Sequence, residues 1–161
     1  MKSSIELIMN PKWDEIENIR NKSSNFLISQ GISNDSVQAL TMVISELVEN
    51  SVKYGKFSSP KNTVIIHIKI NDNNVTTEVI NPVDDTVFQH LKKLDKTIQW
   101  IRGFQNPIEA YTERLRVVSK KPLNDEDSGL GLARIAYEGK AILDFFVSED
   151  SYLNVSALLN S

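Results

Sequence analysis

Three side chains that could handle a phosphorylated ligand lie at helical spacing in residues 46–55, which read ELVENSVKYG. Glu46, Asn50 and Lys53 follow one another at intervals of four and three, so a helix places all three on one face. An amide oxygen suits a hard cation, an ammonium group suits phosphate, and a carboxylate can accept a proton from water or a hydroxyl. This polar row predicts a metal–phosphate site.

The remainder of the same helix is apolar on nearly every side. Its opposite face carries an apolar stripe at the helical period, and three further apolar residues border the polar row. These residues are Val37, Leu40, Ile44, Leu47 and Val48 in the stripe, and Ala39, Met42 and Val43 at the border. Such a helix is normally buried, and a buried polar group without a partner costs about 2–7 kcal/mol. The pattern favours a ligand that meets the row; the alternative is a solvated face, the usual place of Glu and Lys.

A second candidate site is the glycine-rich run Ser128-Gly129-Leu130-Gly131, which leads directly into a predicted helix. Helix N-termini offer unpaired N–H groups and a partial positive charge to phosphate oxygens. Glycine also lets the backbone approach a ligand closely. Taken alone, the run favours a simple glycine-rich helix entry over a phosphate site, and the acidic residues 125–127 just upstream would repel phosphate. Both interpretations stay open on this segment.

The helices and strands that must position these residues can be predicted from the spacing of apolar residues and from the residues that begin and end helices. A short strand at 4–9 precedes a helix over 13–30 that ends at Gly31, and Ser33 caps a helix over 35–54 that ends at Gly55. Alternating residues at 63–70 and 75–80 predict a hairpin, and 141–148 with 153–159 predict another. Between the hairpins lie two amphipathic helices, from about 87 and about 107, and the helix after the glycine run. The order predicts one α+β domain over 1–161 with helices on one sheet face.

Composition narrows the function classes. The chain has 161 residues, 40% of them apolar and 24% charged, and a net charge of −3, which argues against a protein devoted to nucleic acid. It has no cysteine, which excludes disulfide and thiolate chemistry. No apolar run is long enough for a membrane span or a signal peptide, so we expect a soluble, cytoplasmic protein. His67 and His90 lie in unrelated segments and predict no zinc site; His90 is expected at the surface.

The order of the two motifs and the hairpins resembles the ATP-binding domain shared by gyrase, MutL and sensor histidine kinases. Within that superfamily both motifs look closest to the anti-sigma-factor serine kinases of bacterial partner-switching systems, and the SiaB-type protein kinases are a similar alternative. The resemblance covers about residues 33–159. It implies a two-layer sandwich of a mixed, mainly antiparallel sheet with helices on one face, and a lid-like helical segment at 84–127.

The resemblance also implies ATP and Mg²⁺ as cofactors and a role for each candidate residue. Glu46 matches the acidic residue that orients or deprotonates the attacking group. Asn50 matches the magnesium-coordinating asparagine, and Lys53 matches a basic position near the phosphates. The glycine box that holds the phosphates matches the run Ser128, Gly129, Leu130 and Gly131.

The chain departs from the family after its first hairpin. The family has Asp-x-Gly-x-Gly there, whose Asp binds the adenine amino group, whereas this chain has Asn81-Pro82-Val83-Asp84-Asp85. An asparagine oxygen still accepts a hydrogen bond from an amino group, but without charge the bond is weaker. Val83 adds bulk where the family has glycine, and Pro82 removes a donor.

Two functions of different classes follow from the resemblance. The first is a partner-switching regulator that binds Mg-ATP and acts as a serine/threonine-protein kinase on a protein antagonist, with a sigma factor or a STAS-type antagonist as partner and a homodimer as a possible assembly. The alternative is a non-catalytic, nucleotide-independent protein-interaction module on the same fold. We also expect one of the two amphipathic lid helices to dock a protein partner or a second subunit. A sensor histidine kinase is disfavoured because neither histidine lies on a plausible phosphoacceptor helix.

Overall fold

The structure, a computed structural model, describes residues 2–102, 112–113, 116 and 141–160. The elements are β1 (Ser3–Met9), a 3-10 turn (Trp13–Glu15), α1 (Ile16–Ser29), α2 (Asn34–Tyr54), β2 (Val64–Ile70), β3 (Asn74–Pro82), α3 (Val87–Arg102), β4 (Ile142–Val147) and β5 (Tyr152–Asn160). Most of the second amphipathic helix, and the helix expected after the glycine run, lie outside the described residues.

The five strands form one sheet in the order β1-β2-β3-β5-β4, and every neighbouring pair is antiparallel. Side chains alternate across it: Val64, Ile66 and Ile68 are fully buried, whereas Ile65 and His67 between them are only partly covered. Buried residues of all three helices belong to the same apolar core as the buried face of the sheet. The fold is therefore the predicted α+β sandwich, with its helices on one face.

Two of the predicted helix boundaries have the expected chemistry. The Ser33 hydroxyl accepts a hydrogen bond from the Ser36 N–H at 3.3 Å and caps α2. Gly31 follows α1 with a φ of +78°, and its N–H donates to the Ile28 carbonyl at 3.0 Å. A residue with a side chain rarely adopts that φ, so Gly31 lets the chain leave α1 and enter α2 within a few residues.

Gly55 ends α2 for a different physical reason. Its φ of −70° is open to any residue. A Cβ at this position would instead lie 2.6 Å from the Phe57 ring and 2.7 Å from the Ser51 carbonyl oxygen. Close packing therefore requires glycine at position 55, where the helix that carries the polar row ends.

Helix α3 is anchored at both ends of its apolar stripe. Leu94 and Ile98 belong to the main core and are 5% and 4% exposed. At its start, Val87 packs with Val83 and Leu153 in a second, smaller cluster. Helix α3 thus lies against the same core as α2, beside the end of β3. Among the described helices, none is both long enough and apolar enough to cross a membrane.

Candidate functional site

The structure places the polar row of α2 at the border of the core. Glu46 and Asn50 are half-buried, whereas Lys53, one turn further on, is exposed. The remaining faces of α2 are enclosed, as the sequence predicts, with Ile44 and Val48 fully buried. Lys53 therefore lies on an exposed part of the helix, whereas Glu46 and Asn50 do not.

Asn81 lies at the end of β3, beside α2, and is only 1% exposed. Its Oδ1 accepts a hydrogen bond from the Ser51 hydroxyl at 3.0 Å, and its Nδ2 donates to the Pro82 carbonyl at 3.2 Å. A carboxylate in its place would have no proton for that second bond. The amide of Asn81 is thus fitted to its own surroundings. Its oxygen, expected to meet adenine, is shared with Ser51.

Between α2, α3 and the sheet lies a cavity of about 20 Å³. Its walls come from all three layers: Leu47, Asn50 and Ser51 of α2, Asn81 of β3, His90 and Leu94 of α3, and Leu153 and Val155 of β5. This space suffices for one water molecule, whereas pockets for small organic ligands measure about 300–1,000 Å³. Asn50 and Asn81, both expected to contact a nucleotide, line this cavity together with His90 and Leu94 of α3.

His90, which lines this cavity, stacks on the ring of Tyr54. The His90 imidazole lies on the Tyr54 phenol ring with a centroid separation of 3.7 Å and an interplanar angle of 15°. The Lys53 ammonium is 5.1 Å from the centroid of the same Tyr54 ring, within cation–π range. The expectation that His90 is a surface residue is wrong: it is half-buried and ties α3 to the last turn of α2.

Val83, two residues after Asn81, also anchors α3. Val83 is 8% exposed inside the small cluster with Val87, and its N–H donates to the Ser151 carbonyl at 2.9 Å. A glycine there would contribute no side chain to that cluster. The bulk that was expected to obstruct a purine is used to pack the start of α3.

Asp84 fixes the turn that leads into α3 by hydrogen bonding. Its Oδ1 accepts the Thr86 hydroxyl at 2.5 Å and the Thr86 N–H at 2.9 Å. These bonds, first the hydroxyl and then the backbone N–H, lower the pKa of Asp84, and the nearby charge of Lys56 acts in the same direction. The carboxylate is stabilised in its charged form, which is the form that holds this turn.

The other half of the expected site, Ser128, Gly129, Leu130 and Gly131, lies outside the described residues. Within the described part of the chain, no group of three or more His, Asp or Glu residues is placed to hold a metal ion. A magnesium ion at Asn50 would therefore share its coordination with phosphate oxygens, which is how proteins commonly bind Mg²⁺. The half-buried amide of Asn50 at the cavity wall fits that use.

Sequence reasoning missed the contribution of α3 to this site. His90 and Leu94 come from a helix whose amphipathic period is evident, but a period does not say which surface the apolar stripe covers. Ser51 adjoins Asn50 and has a hydroxyl on an otherwise apolar helix. That local signal could have marked it as a partner for a buried polar group.

No protein-family model matches the chain, and no curated protein matches it in sequence. Among solved structures, a chain from the crystal structure of the SiaB–SiaC complex of Pseudomonas aeruginosa has a similar fold, with a TM-score of 0.67. The two are 19% identical over 96% of this chain and 88% of the other. This likeness establishes a shared fold across nearly the whole chain.

Proposed function

We propose that this protein is a partner-switching regulator, which binds another protein and transfers a phosphoryl group from Mg-ATP to a hydroxyl of that partner. The observation that carries the proposal is the convergence of Asn50, Ser51 and Asn81 on one closed space, with Glu46 one turn before Asn50 on the same helix. The similar solved structure belongs to a complex of two proteins, which supports a protein as the partner.

Each member of the polar row has a role in this proposal that its chemistry allows. Asn50 would hold magnesium through its amide oxygen, and Lys53 would bring positive charge near the phosphates. Glu46 would orient the attacking hydroxyl and accept its proton. ATP supplies the phosphoryl group, and the run 128–131 would hold its phosphates through backbone N–H groups.

Access to this site would depend on the position of α3. The cavity of about 20 Å³ admits no purine while His90 and Leu94 line it. A nucleotide would therefore bind a conformation in which α3 has left the cavity. Its apparent affinity would fall in proportion to the population of that conformation. A partner protein that also prefers the open conformation would raise nucleotide affinity, and nucleotide would raise affinity for the partner by the same factor.

The second candidate is a module that binds protein without nucleotide. It is favoured by Val83 and Asp84, because both residues hold α3 in place where the family keeps room for the base. In this case the Asn81–Ser51 hydrogen bond is a structural contact, and the cavity never opens to a ligand. The two candidates differ in one measurable property, which is magnesium-dependent binding of ATP.

Calorimetric titration with ATP and with ADP, each with and without Mg²⁺, tests the proposal. We expect magnesium-dependent binding of ATP that Asn50→Ala abolishes, while the matched control Asn73→Ala, in the exposed turn between β2 and β3, behaves as wild type. Glu46→Ala should keep the binding and lose ADP production in a coupled assay. No heat in any condition from a folded protein would overturn the proposal in favour of the second candidate.

A further inference from the structure

The face of the sheet that points away from the helices carries a row of side chains, here called the apolar row, in which four members are apolar and one is an asparagine. It crosses all five strands, and each member is paired in register with the next: Ile8, Ile65, Ile80, Asn154 and Phe146. At its two ends Ile8 is 61% and Phe146 is 58% exposed. Large apolar side chains so exposed at both edges of a sheet mark a surface that is not covered by the protein's own core.

A groove of about 430 Å³ lies over this row and is lined by all of its members except Ile8. Ile65, Ile80 and Phe146 give it an apolar lining, and Tyr152 and Asp150 add a phenol and a carboxylate. Helix α3 plays no part in this groove, because its lining residues come from the strands and from the β4–β5 turn. The groove is thus a feature separate from the closed cavity, on the opposite side of the sheet.

The strand positions beside the apolar row form a second row that is acidic. Its members, again paired in register, are Glu6, His67, Glu78, Ser156 and Asp144. The His67 ring lies between two carboxylates, with Nε2 2.7 Å from Glu6 and Nδ1 3.9 Å from Glu78. Among the described strand residues of this face, Lys69 is the one lysine, and its ammonium is 3.8 Å from Glu78.

We propose that this face docks an amphipathic helix of a partner protein, with its apolar ridge on the apolar row and with Lys or Arg residues over the acidic row. The charge of the acidic row selects a basic flank. Five strands span four gaps of about 4.8 Å, so the apolar row is about 19 Å long, which corresponds to about 13 helical residues. The inference rests on the proposed function only in that the partner is a protein.

A second copy of the chain is the less suitable occupant of this face. It would bring an acidic row of its own against the first, and like charges that face each other across an interface oppose association. A basic helix removes that repulsion and covers the exposed Ile8 and Phe146. The face would then hold a partner while α3 still closes the cavity.

The test uses two synthetic 14-residue helical peptides with leucine at the same four ridge positions. One carries lysine on its flanks and the other carries glutamate. We expect the lysine peptide to bind the full chain and to shift the backbone amide resonances of Ile65, Ile80 and Phe146. The glutamate peptide should cause no such shifts. Phe146→Ser should weaken binding of the lysine peptide about tenfold, as expected for the loss of a large exposed apolar anchor.

Matched controls distinguish docking on this face from nonspecific binding to exposed apolar side chains. Ile28→Ser removes an isoleucine that is 58% exposed on α1 and should leave peptide affinity unchanged. Asp144→Lys reverses one charge of the acidic row and should weaken the lysine peptide. Equal binding of the two peptides, or wild-type affinity in Phe146→Ser, would overturn the proposal.

A concentration-dependent dimer in sedimentation that Phe146→Ser abolishes would also overturn it, because the occupant would then be a second copy. Failure of the proposed function gives a separate result. If the wild-type protein binds the lysine peptide but shows no magnesium-dependent binding of ATP, kinase chemistry is excluded and the docking proposal stands.

Discussion

The imidazole of His90 on α3 stacks on the ring of Tyr54 at the end of α2, with centroids 3.7 Å apart and planes 15° apart. This contact joins α3 to the helix that carries Glu46 and Asn50. Since His90 also lines the cavity beside Asn50, the stack belongs to the closed state of the site. Breaking it should make the closed state less favourable without touching the polar row.

We therefore expect His90→Ala to increase the apparent affinity for Mg-ATP. An aromatic pair contributes about 0.5–1.5 kcal/mol beyond buried area, so its loss should raise affinity about two- to tenfold. Calorimetry on wild type and variant gives the comparison, with His67→Ala on the opposite sheet face as the matched control. An unchanged or lower affinity in His90→Ala alone would show that the stack does not oppose nucleotide binding.

The change Asn81→Asp should destabilise the protein. The Nδ2 group that donates to the Pro82 carbonyl would be replaced by a carboxylate oxygen, at a position only 1% exposed. Two acceptors then face each other, and we expect a loss of about 1–3 kcal/mol in the free energy of unfolding by urea. Asn73→Asp, in an exposed turn, should change little. If Asn81→Asp is as stable as wild type, the amide does not donate to Pro82.

The two described glycines at helix ends should respond differently to substitution. Gly55→Ala forces a Cβ to within 2.7 Å of the Ser51 carbonyl oxygen and against the Phe57 ring, so we expect a loss of about 1–3 kcal/mol. Asparagine, which tolerates positive φ, should be accepted at Gly31, where nothing lies within 4 Å of the added Cβ. Thermal unfolding measures both. A Gly55→Asn variant as stable as Gly31→Asn would refute the packing explanation.

The start of α3 should loosen in acid because of Asp84. Its pKa is lowered from the ordinary value of 3.8 in the folded protein. Its stabilising contribution is therefore complete above the pKa of the unfolded chain and is lost as the pH falls through the lower folded value. Amide exchange in the first turn of α3, referenced to that of α2, should accelerate below about pH 4 in wild type.

Asp84→Ala should show the faster exchange at every pH and lose this acid dependence. The neighbouring change Asp85→Asn is the matched control and should retain it. The explanation fails if Asp84→Ala keeps the wild-type acid response.

Much of the fold could be predicted because its signals are local. Alternation over 63–70 predicted the first hairpin and the turn at 149–151 marked the second, while Ser33 and Gly31 marked helix boundaries that the structure confirms. The enclosed nature of α2 followed from its all-round apolar pattern. The position of α3 could not be predicted, because the contact of His90 with Tyr54 joins residues 36 positions apart. No local rule ranks the surfaces that an apolar stripe could cover.

The candidate site likewise has one part that local sequence predicts and another that depends on how the elements pack. Glu46, Asn50 and Lys53 were found from spacing alone, since a helix converts intervals of four and three into one face. The hydrogen bond from Ser51 to Asn81 crosses from α2 to β3 and depends on how these elements pack. The packing of Val83 against the start of α3 could not be predicted either. In the sequence, Val83 was only a residue that departs from a glycine pattern.

In the proposed function, Mg-ATP binds at Asn50, and this binding requires α3 to leave the cavity. Amide hydrogen exchange in residues 87–102, measured with and without saturating Mg-ATP, tests it most directly. We predict faster exchange in α3 on addition of Mg-ATP to wild type, and no change in Asn50→Ala. Unchanged exchange in wild-type α3 at millimolar Mg-ATP would contradict the claim.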